Sequence, residues 1–294
     1  MRVHILPLII LFISLFSCQS KQQEDKQVST IDSTLQAKAT SILENKLTEL
    51  YALSGQAIVM EVQTGHIKAM VELERKDSAD YQPCENFSQA YESALIQPIS
   101  ILAALETGKI KLTDTVDVGD GIYICKEDTI KDHNWHRGGY GKIIIKQGLA
   151  SSSEIAVYKA MEIAFNGYTQ AYYDQLKEIG ISNLDTPLQM LTAYNSIANN
   201  ENNQANIDSL KQALEYVVTD GLGQPAKSNK VEVAGKTGTV QLEDGSYIVE
   251  FCGYFPANAP KYSIIVSIHK EELPASGGLM AGDVFRQIVD YMNE

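Results

Sequence analysis

Apolar positions repeat with a helical period from about residue 34 of the chain. Between Thr34 and Leu53 they recur mainly three and four residues apart, so they share one helix face. Either Asp32 or Ser33 is suited to cap the start of this helix, because a short polar side chain accepts a backbone N–H there. The apolar positions of this face are Leu35, Ala39, Ile42, Leu43, Leu47 and Leu50.

Both ends of the remaining chain carry the alternating or continuous apolar runs typical of β-strands. Gln56 to Leu73 predicts two strands joined by a turn at Gly65, since glycine accepts the backbone angles of a tight hairpin. Three more strands and a closing helix are predicted towards the other end. Their ranges are Val231–Gln241, Tyr247–Phe255 and Tyr262–Lys270 for the strands and Met280–Met292 for the helix.

The middle of the chain is predominantly helical in pattern. Glu85 to Gly108 predicts a helix that is apolar on most sides and therefore central, with Pro98 in its first turn, where a missing N–H costs little. Asp114 to Ile145 is rich in glycine and predicts turns. Further helical segments follow at Ile143–Phe165, Tyr168–Ile179, Pro187–Ala198 and Ile207–Thr219.

Strands at both ends with helices between them predict an α+β fold. We expect one antiparallel sheet built from both chain ends, with flanking helices and a helical subdomain. Residues 34–294 have a length suited to a single domain.

The first residues have the pattern of an export signal rather than of a folded element. Arg2 precedes the apolar run Ile5–Phe16, and Cys18 follows a small residue at its end, as in a bacterial lipobox. We therefore expect a lipoprotein signal peptide at 1–17, then a lipidated Cys18 and a polar flexible tether over 18–33. This places the protein in the cell envelope, anchored to a membrane and facing the periplasm. The alternative is an ordinary signal peptide with an incidental cysteine.

The net charge excludes one class of binding partner, and the number of cysteines limits the possible disulfide bonds. A net charge of −13 gives no electrostatic footprint for nucleic acid, so we exclude that class of partner. Three cysteines remain after Cys18, and an odd number leaves at least one thiol unpaired. Cys252 lies in an apolar run and is expected to be buried, whereas a bridge between Cys84 and Cys125 stays open. No spacing predicts a metal site, and no cofactor is implied.

Several motifs occur in an order that resembles the class B penicillin-binding proteins, the transpeptidases of septal and side-wall peptidoglycan synthesis. Lys236-Thr237-Gly238-Thr239 matches their third motif, which binds the substrate carboxylate, and Ser152-Ser153-Glu154 falls where they carry Ser-x-Asn. Further similarity covers Gln56–Val71, Asp132–Gly141 and Phe251–Pro256. The resemblance implies a penicillin-binding transpeptidase or serine β-lactamase-like fold. It also implies stem peptides and β-lactams as ligands.

The chain departs from this family at the residues that carry the chemistry. Ala94 stands where the resemblance implies the nucleophilic serine, and Gln97 where it implies the lysine one helical turn later. Anchoring the motif on Tyr91-Glu92 instead would put Leu95 at the serine position, and neither register supplies a hydroxyl. Glu154 replaces a neutral amide. We expect it either to pair with Lys236 or to turn to solvent.

These departures favour a catalytically inactive member of the family, with a binding or regulatory role in peptidoglycan synthesis or cell division. Its partners would be stem peptides or β-lactams held without a covalent bond, or divisome and cell-wall synthase proteins. One alternative is an active transpeptidase or carboxypeptidase with a displaced nucleophile at Ser93, Ser151 or Ser152. Another is a purely structural module. Ser267 and Lys270 also match the Ser-x-x-Lys motif. They lie in a predicted strand, however, where side chains three positions apart point to opposite faces.

Overall fold

The computed structural model describes residues 30–76, 80–84, 93–125, 128–181, 183–199 and 204–294. The predicted leader, the lipidation site at Cys18 and most of the tether lie outside the described residues. The same is true of Tyr91-Glu92, on which the alternative motif register rests.

The strands of the two chain ends form one antiparallel sheet, in which the strands lie in the order 81–83, 67–75, 54–61, 262–270, 247–255 and 234–241. The predicted sheet is therefore confirmed, because strand 54–61 pairs directly with strand 262–270 and so joins the two chain ends. The strands are β1 (Ser54–Glu61), β2 (Ile67–Arg75), β3 (Tyr81–Pro83), β4 (Thr115–Gly119), β5 (Ile122–Cys125), β6 (Asp128–Lys131), β7 (Gly141–Ile144), β8 (Ala234–Gln241), β9 (Tyr247–Phe255) and β10 (Tyr262–Lys270).

Helices cover both faces of the sheet, in agreement with the predicted flanking helices and helical subdomain. A single π-helical turn, Gly278–Gly282, leads into the last of them. The helices are α1 (Ser33–Leu50), α2 (Gln97–Glu106), α3 (Ile145–Ala150), α4 (Glu154–Phe165), α5 (Gln170–Glu178), α6 (Pro187–Asn199), α7 (Gln204–Thr219) and α8 (Asp283–Met292).

One face of the sheet is covered by the two terminal helices. Asp32 caps α1, since its side chain accepts the backbone N–H groups of Thr34 and Leu35. The apolar face of α1 packs with α8 on the sheet, where the rings of Phe251 and Phe285 lie 4.7 Å apart. Burying these apolar surfaces is the main stabilising contribution of this layer.

The opposite face of the sheet carries the helical subdomain, with α2 at its centre. Nine of the ten residues of α2 are buried, which agrees with a helix that is apolar on most sides. Pro98 lies in the first turn, as predicted. The backbone of Ser93 is extended, so this helical segment begins after Ser93 rather than at Glu85.

The turn-rich region between α2 and α3 contains regular structure that the sequence did not reveal. Strands β4 and β7 pair with each other, and β5 and β6 form a separate hairpin. Each strand is four or five residues long, which is too short for a periodic pattern to emerge.

The three cysteines of the described chain are free thiols. Cys84 and Cys125 are half-buried and do not form the bridge that the sequence left open. Cys252 is fully buried in β9, which confirms it as a packing residue. Within the described ranges, none of the helices combines the length and the apolar character needed to span a bilayer.

Candidate active-site cleft

The start of α2 is fixed to the sheet and to the helical subdomain by two long-range contacts. Ser93 Oγ accepts the backbone N–H of Leu95 at 3.1 Å and donates to Glu250 Oε2 at 2.6 Å. Tyr194, itself fully buried, donates its hydroxyl to the carbonyl of Leu95 at 2.9 Å. Ser93 therefore serves as a helix cap and is held by a carboxylate.

A cleft of about 660 Å³ opens between this helix start, the segment before α4 and strand β8. The short 3-10 turn Ala94–Ile96, which leads into α2, places the methyl group of Ala94 in the cleft, whereas Leu95 is fully buried. The lining residues are Ala94, Gln97, Lys131, His133, Arg137, Ser152, Glu154, Gly221, Leu222, Gln224, Pro225, Lys236, Thr237, Thr239 and Ala275–Leu279.

Gln97 and Glu154 form a direct hydrogen bond across the cleft. Gln97 Nε2 donates to Glu154 Oε1 at 2.7 Å, and Gln97 is 2% exposed. Glu154 itself is exposed in the cleft. Desolvation by the surrounding protein raises the pKa of its carboxyl, and the charge of Lys236 and the Gln97 bond partly offset this.

A second hydrogen-bonded group lies beside this pair. The fully buried Lys236 donates to Ser152 Oγ and, at 2.8 Å, to the carbonyl of Thr237. Ser152 Oγ also lies 3.3 Å from Thr237 Oγ1. Burial lowers the pKa of Lys236 to about 8, and the negative charge of Glu154 opposes that shift.

The backbone of Ser152 adopts a conformation that non-glycine residues rarely take. Its φ of 51° is left-handed, which costs on the order of 1 kcal/mol for a residue with a Cβ. This conformation brings the hydroxyl of Ser152 to Lys236, so the strain occurs in the cleft itself.

The structure does not contain the contact that was expected between Glu154 and Lys236. Among the described residues, no hydrogen bond or ion pair joins them. The expected direct pairing with Lys236 is therefore wrong. Glu154 is exposed, as the alternative expectation had it, although Gln97 donates to one of its oxygens at 2.7 Å.

Asp132 and Ser153 stabilise the start of α4 beside the cleft, a role that the sequence analysis did not predict. Asp132 is fully buried and accepts the hydroxyl of Ser153 at 2.7 Å and the N–H of Ile155 at 3.2 Å. Ser153 in turn caps α4 by accepting the N–H of Ala156. Nothing in the neighbouring sequence indicates that Asp132 is buried, because acidic residues in loops are usually exposed.

The charge of the cleft differs from that of the whole chain. Among the described lining residues, the cations Lys131, Arg137 and Lys236 are accompanied by a single carboxylate, Glu154, although the protein carries a net charge of −13. Leu222 and Leu279 form an exposed apolar lip. The cleft is thus an amphipathic groove with an excess of positive charge, which favours ligands bearing a carboxylate.

Two glycines allow the walls of the cleft to approach each other. A Cβ on Gly238 would lie 3.0 Å from Glu250 Oε2 and 3.4 Å from Leu95 Cγ. A Cβ on Gly277 would lie 2.3 Å from the carbonyl of Gly238. The N–H of Gly277 instead donates to Thr239 Oγ1 at 3.1 Å, which holds residues 275–279 over β8.

The two histidines of this region are engaged with aromatic neighbours. His133 Nε2 lies 3.1 Å from the hydroxyl of Tyr140, and burial lowers the pKa of His133. His136 contacts Trp135 edge-on. In the described ranges, no three side chains of the metal-ligating types come together.

Comparison with known proteins identifies related sequences over most of the chain. The family model of the penicillin binding protein transpeptidase domain matches residues 55–185 and 164–290. A probable peptidoglycan D,D-transpeptidase, PbpC of Pseudomonas aeruginosa, is 24% identical over 331 aligned positions, which cover 92% of this chain and 58% of that protein. Stage V sporulation protein D of Bacillus subtilis is 34% identical over 87 residues, or 27% of this chain and 14% of that protein. The chain thus spans less than two thirds of both relatives.

Solved structures share the fold. A peptidoglycan glycosyltransferase from Burkholderia ambifaria superposes with a TM-score of 0.74 at 20% identity, covering 90% of this chain and 96% of the other. The transpeptidase domain of penicillin-binding protein 3 from Burkholderia pseudomallei gives 0.73 at 19% identity, covering 90% and 94%. The transpeptidase domain of FtsI4 from Legionella pneumophila gives 0.67 at 21% identity, covering 90% and 98%. The observed sheet and helical subdomain are those of these domains.

Proposed function

Because this chain belongs to the family of penicillin-binding protein transpeptidase domains, we propose that it is a member that binds its ligands without acylation. The observation that carries this proposal is the pair of cleft residues Ala94, in the turn before α2, and Gln97, the first residue of α2. The methyl group of Ala94 has no nucleophilic atom. Gln97 supplies neither a base nor a positive charge.

Acyl transfer in a serine enzyme needs a hydroxyl activated by a neighbouring base. Removing the nucleophile from a well-studied serine hydrolase costs on the order of 10⁶ in rate. Ser93, one residue from the expected position, donates its hydroxyl to Glu250 and caps the helix, so it is not available for attack. This geometry supports an inactive site.

Reversible binding is supported by the half of the site that is retained. Lys236, Ser152 and Thr237 remain hydrogen-bonded to one another, and Lys131 and Arg137 add positive charge. Strand β8 is also an edge strand of the sheet formed by the described residues, so its outer backbone can pair with an extended peptide. The ligands we propose are peptidoglycan stem peptides and β-lactams, held without a covalent bond.

Within the cell we propose an envelope role. Lipidation at Cys18 would anchor the domain to a membrane and let it face the periplasm on the tether 18–33. There it would regulate cell-wall synthesis or division by binding stem peptides, cell-wall synthases or divisome proteins.

A fluorescent penicillin tests the absence of acylation. Residues 30–294 are incubated with the probe, denatured and separated by electrophoresis, with an active penicillin-binding protein as the positive control. We expect no label that survives denaturation. Calorimetry with a β-lactam and with a stem peptide then tests reversible binding. A covalent label would overturn the proposal, and absence of all binding would favour a purely structural module.

A second candidate function rests on the contact between Ser152 and Lys236. With its pKa near 8, Lys236 is neutral in a substantial fraction of molecules in mildly alkaline solution and could accept the proton of Ser152 Oγ. The oxygen would then form an ester with the β-lactam carbonyl as the ring C–N bond opens and its nitrogen is protonated. Mass spectrometry of the penicillin-treated protein decides this, because an adduct on the peptide containing Ser152 would establish a displaced nucleophile.

A further inference from the structure

Two opposite charges face the cleft without pairing with each other. Glu154 is bonded to Gln97, whereas Lys236 is bonded to Ser152 and to the carbonyl of Thr237. Each nevertheless acts on the other electrostatically, because Glu154 favours the charged form of Lys236 and the reverse also holds. The cleft therefore has a negative side at Glu154 and a positive side at Lys236, which interact electrostatically without direct contact.

The negative side has more hydrogen-bond acceptors than donors. Gln97 Nε2 donates to Glu154 Oε1, but within the described residues Glu154 Oε2 receives no hydrogen bond. Gln97 Oε1 is buried and also has no partner there. Leaving the buried amide oxygen of Gln97 unpaired is unfavourable, and the carboxylate of the exposed Glu154 is a strong acceptor that a ligand can reach. This side is therefore complementary to a ligand that brings hydrogen-bond donors.

The side chain of Glu154 is accessible to a ligand. Glu154 is the first residue of α4, where the helix dipole favours an anion, and it is exposed in the cleft. Desolvation by the surrounding protein raises the pKa of its carboxyl, so a ligand cation beside Glu154 would favour the ionised form.

Glu154 is also the one anionic group that the described lining of this cavity offers to a cation. Among the described lining residues it is the one carboxylate, and the remaining charged side chains are Lys131, Arg137 and Lys236. An ammonium group entering the cleft is therefore directed to Glu154. A carboxylate on the same ligand is directed to the opposite side, towards Lys236 and Thr237.

We infer that the cleft binds a small zwitterion, a free amino acid or short peptide, with its ammonium on Glu154 and its carboxylate on the side of Lys236. This inference rests on the proposed reversible binding and narrows it. The preferred ligand carries an unblocked amino group next to its carboxyl end. An N-acylated peptide, such as the end of an intact stem, lacks that group and leaves Glu154 unpaired.

Calorimetry with two matched dipeptides tests the inference. D-alanyl-D-alanine and N-acetyl-D-alanyl-D-alanine have the same carboxylate and differ in the charge of the amino group. We expect the free dipeptide to bind about tenfold more tightly, since a charge-assisted hydrogen bond is added. In Glu154→Gln the acceptor for Gln97 is kept but the charge is lost, so the preference should disappear while the affinity for the acetylated dipeptide is retained.

Glu162→Gln is the matched control, because Glu162 lies on the same helix outside the cavity and bonds to the hydroxyl of Tyr123. It should keep the preference of the unmodified protein. Equal or tighter binding of the acetylated dipeptide, or a preference that survives Glu154→Gln in a folded variant, would overturn the inference and leave the proposed function standing. If neither dipeptide, nor any β-lactam or stem peptide, binds, the proposed function fails as well.

Discussion

Ser93 Oγ lies 2.6 Å from Glu250 Oε2, although 157 residues separate the two in the chain. Glu250 is fully buried in β9, and Ser93 caps the helical segment that presents Ala94 and Gln97 to the cleft. The start of this helix is thus attached to the sheet that carries Lys236 on the neighbouring strand, β8. The contact aligns the two sides of the cleft.

Replacing Ser93 tests this attachment. Ser93→Ala removes both the cap and the bond to Glu250, and we expect the free energy of unfolding to fall by about 1–3 kcal/mol. Urea denaturation followed by circular dichroism measures it. Ser209→Ala is the control, since that hydroxyl bonds to a carbonyl within its own helix. Equal effects of the two substitutions would argue against a special role for Ser93.

Restoring the two missing residues alone should not restore acylation. In Ala94→Ser with Gln97→Lys, the new ammonium would lie where Gln97 now donates to Glu154 at 2.7 Å. An adjacent carboxylate raises the pKa of a lysine, so this lysine would stay protonated and could not act as a base. We expect no covalent label from fluorescent penicillin.

Adding Glu154→Asn to that pair is the informative comparison, because it removes the charge that holds the new lysine protonated. We expect any covalent labelling by fluorescent penicillin to be faster in the triple variant than in the double variant. Labelling of the double variant at the same rate would show that Glu154 does not block the chemistry.

Lys236 makes stability depend on pH in the alkaline range. Burial lowers its pKa from 10.5 to about 8. Between these values the folded protein has released the proton that the unfolded chain still holds, so stability rises with pH over this window. Below about pH 8 both states bind the proton, and the penalty for burying the charge is fully present. The total change corresponds to about 3 kcal/mol.

Lys236→Met isolates this contribution, because other titrating groups are common to both proteins. The unfolding free energy of the unmodified protein minus that of the variant should increase from pH 8 to pH 10. It should be constant between pH 6 and pH 7. A difference that does not change with pH would mean that the pKa of Lys236 is not lowered.

Adjacent serines should differ in their contribution to stability. Ser153→Ala removes the cap of α4 and one of the donors to the buried carboxylate of Asp132, so we expect a loss of about 2–4 kcal/mol. Ser151→Ala, whose hydroxyl bonds to the carbonyl of Gln147, should cost less than about 0.5 kcal/mol. Thermal unfolding of both variants and of Ser153→Thr, which keeps the hydroxyl, measures this. Similar losses for Ser151 and Ser153 would contradict the assignment.

Membrane association should depend on Cys18. If this cysteine is lipidated, Cys18→Ser removes the acylated residue, and the protein should move from the membrane fraction to the soluble periplasmic fraction. Fractionation of cells followed by immunoblotting measures the shift. A variant that remains membrane-bound after a salt wash would point to another mode of anchoring.

The family and most of the fold could be predicted from the amino-acid pattern alone. The strands β9 and β10 have the ranges predicted from their apolar patterns, and Asp32 caps α1 as one of the two predicted candidates. Such patterns are reliable because each depends on one face of a local element being buried. The sequence assigned Ala94 and Gln97 to the degenerate motif on the register of Pro98 and left Leu95 as an alternative, and the structure places Ala94 in the cleft and buries Leu95.

Tertiary structure decided which side chains meet in the cleft. The sequence placed Glu154 near Lys236, but hydrogen-bond partners depend on distances of a few tenths of an ångström between separate elements, and Gln97 is the partner that the fold brings closest. The bond between Ser93 and Glu250 and the burial of Asp132 arise in the same way. No periodicity encodes them, because each joins groups from elements that pack together only in the folded state.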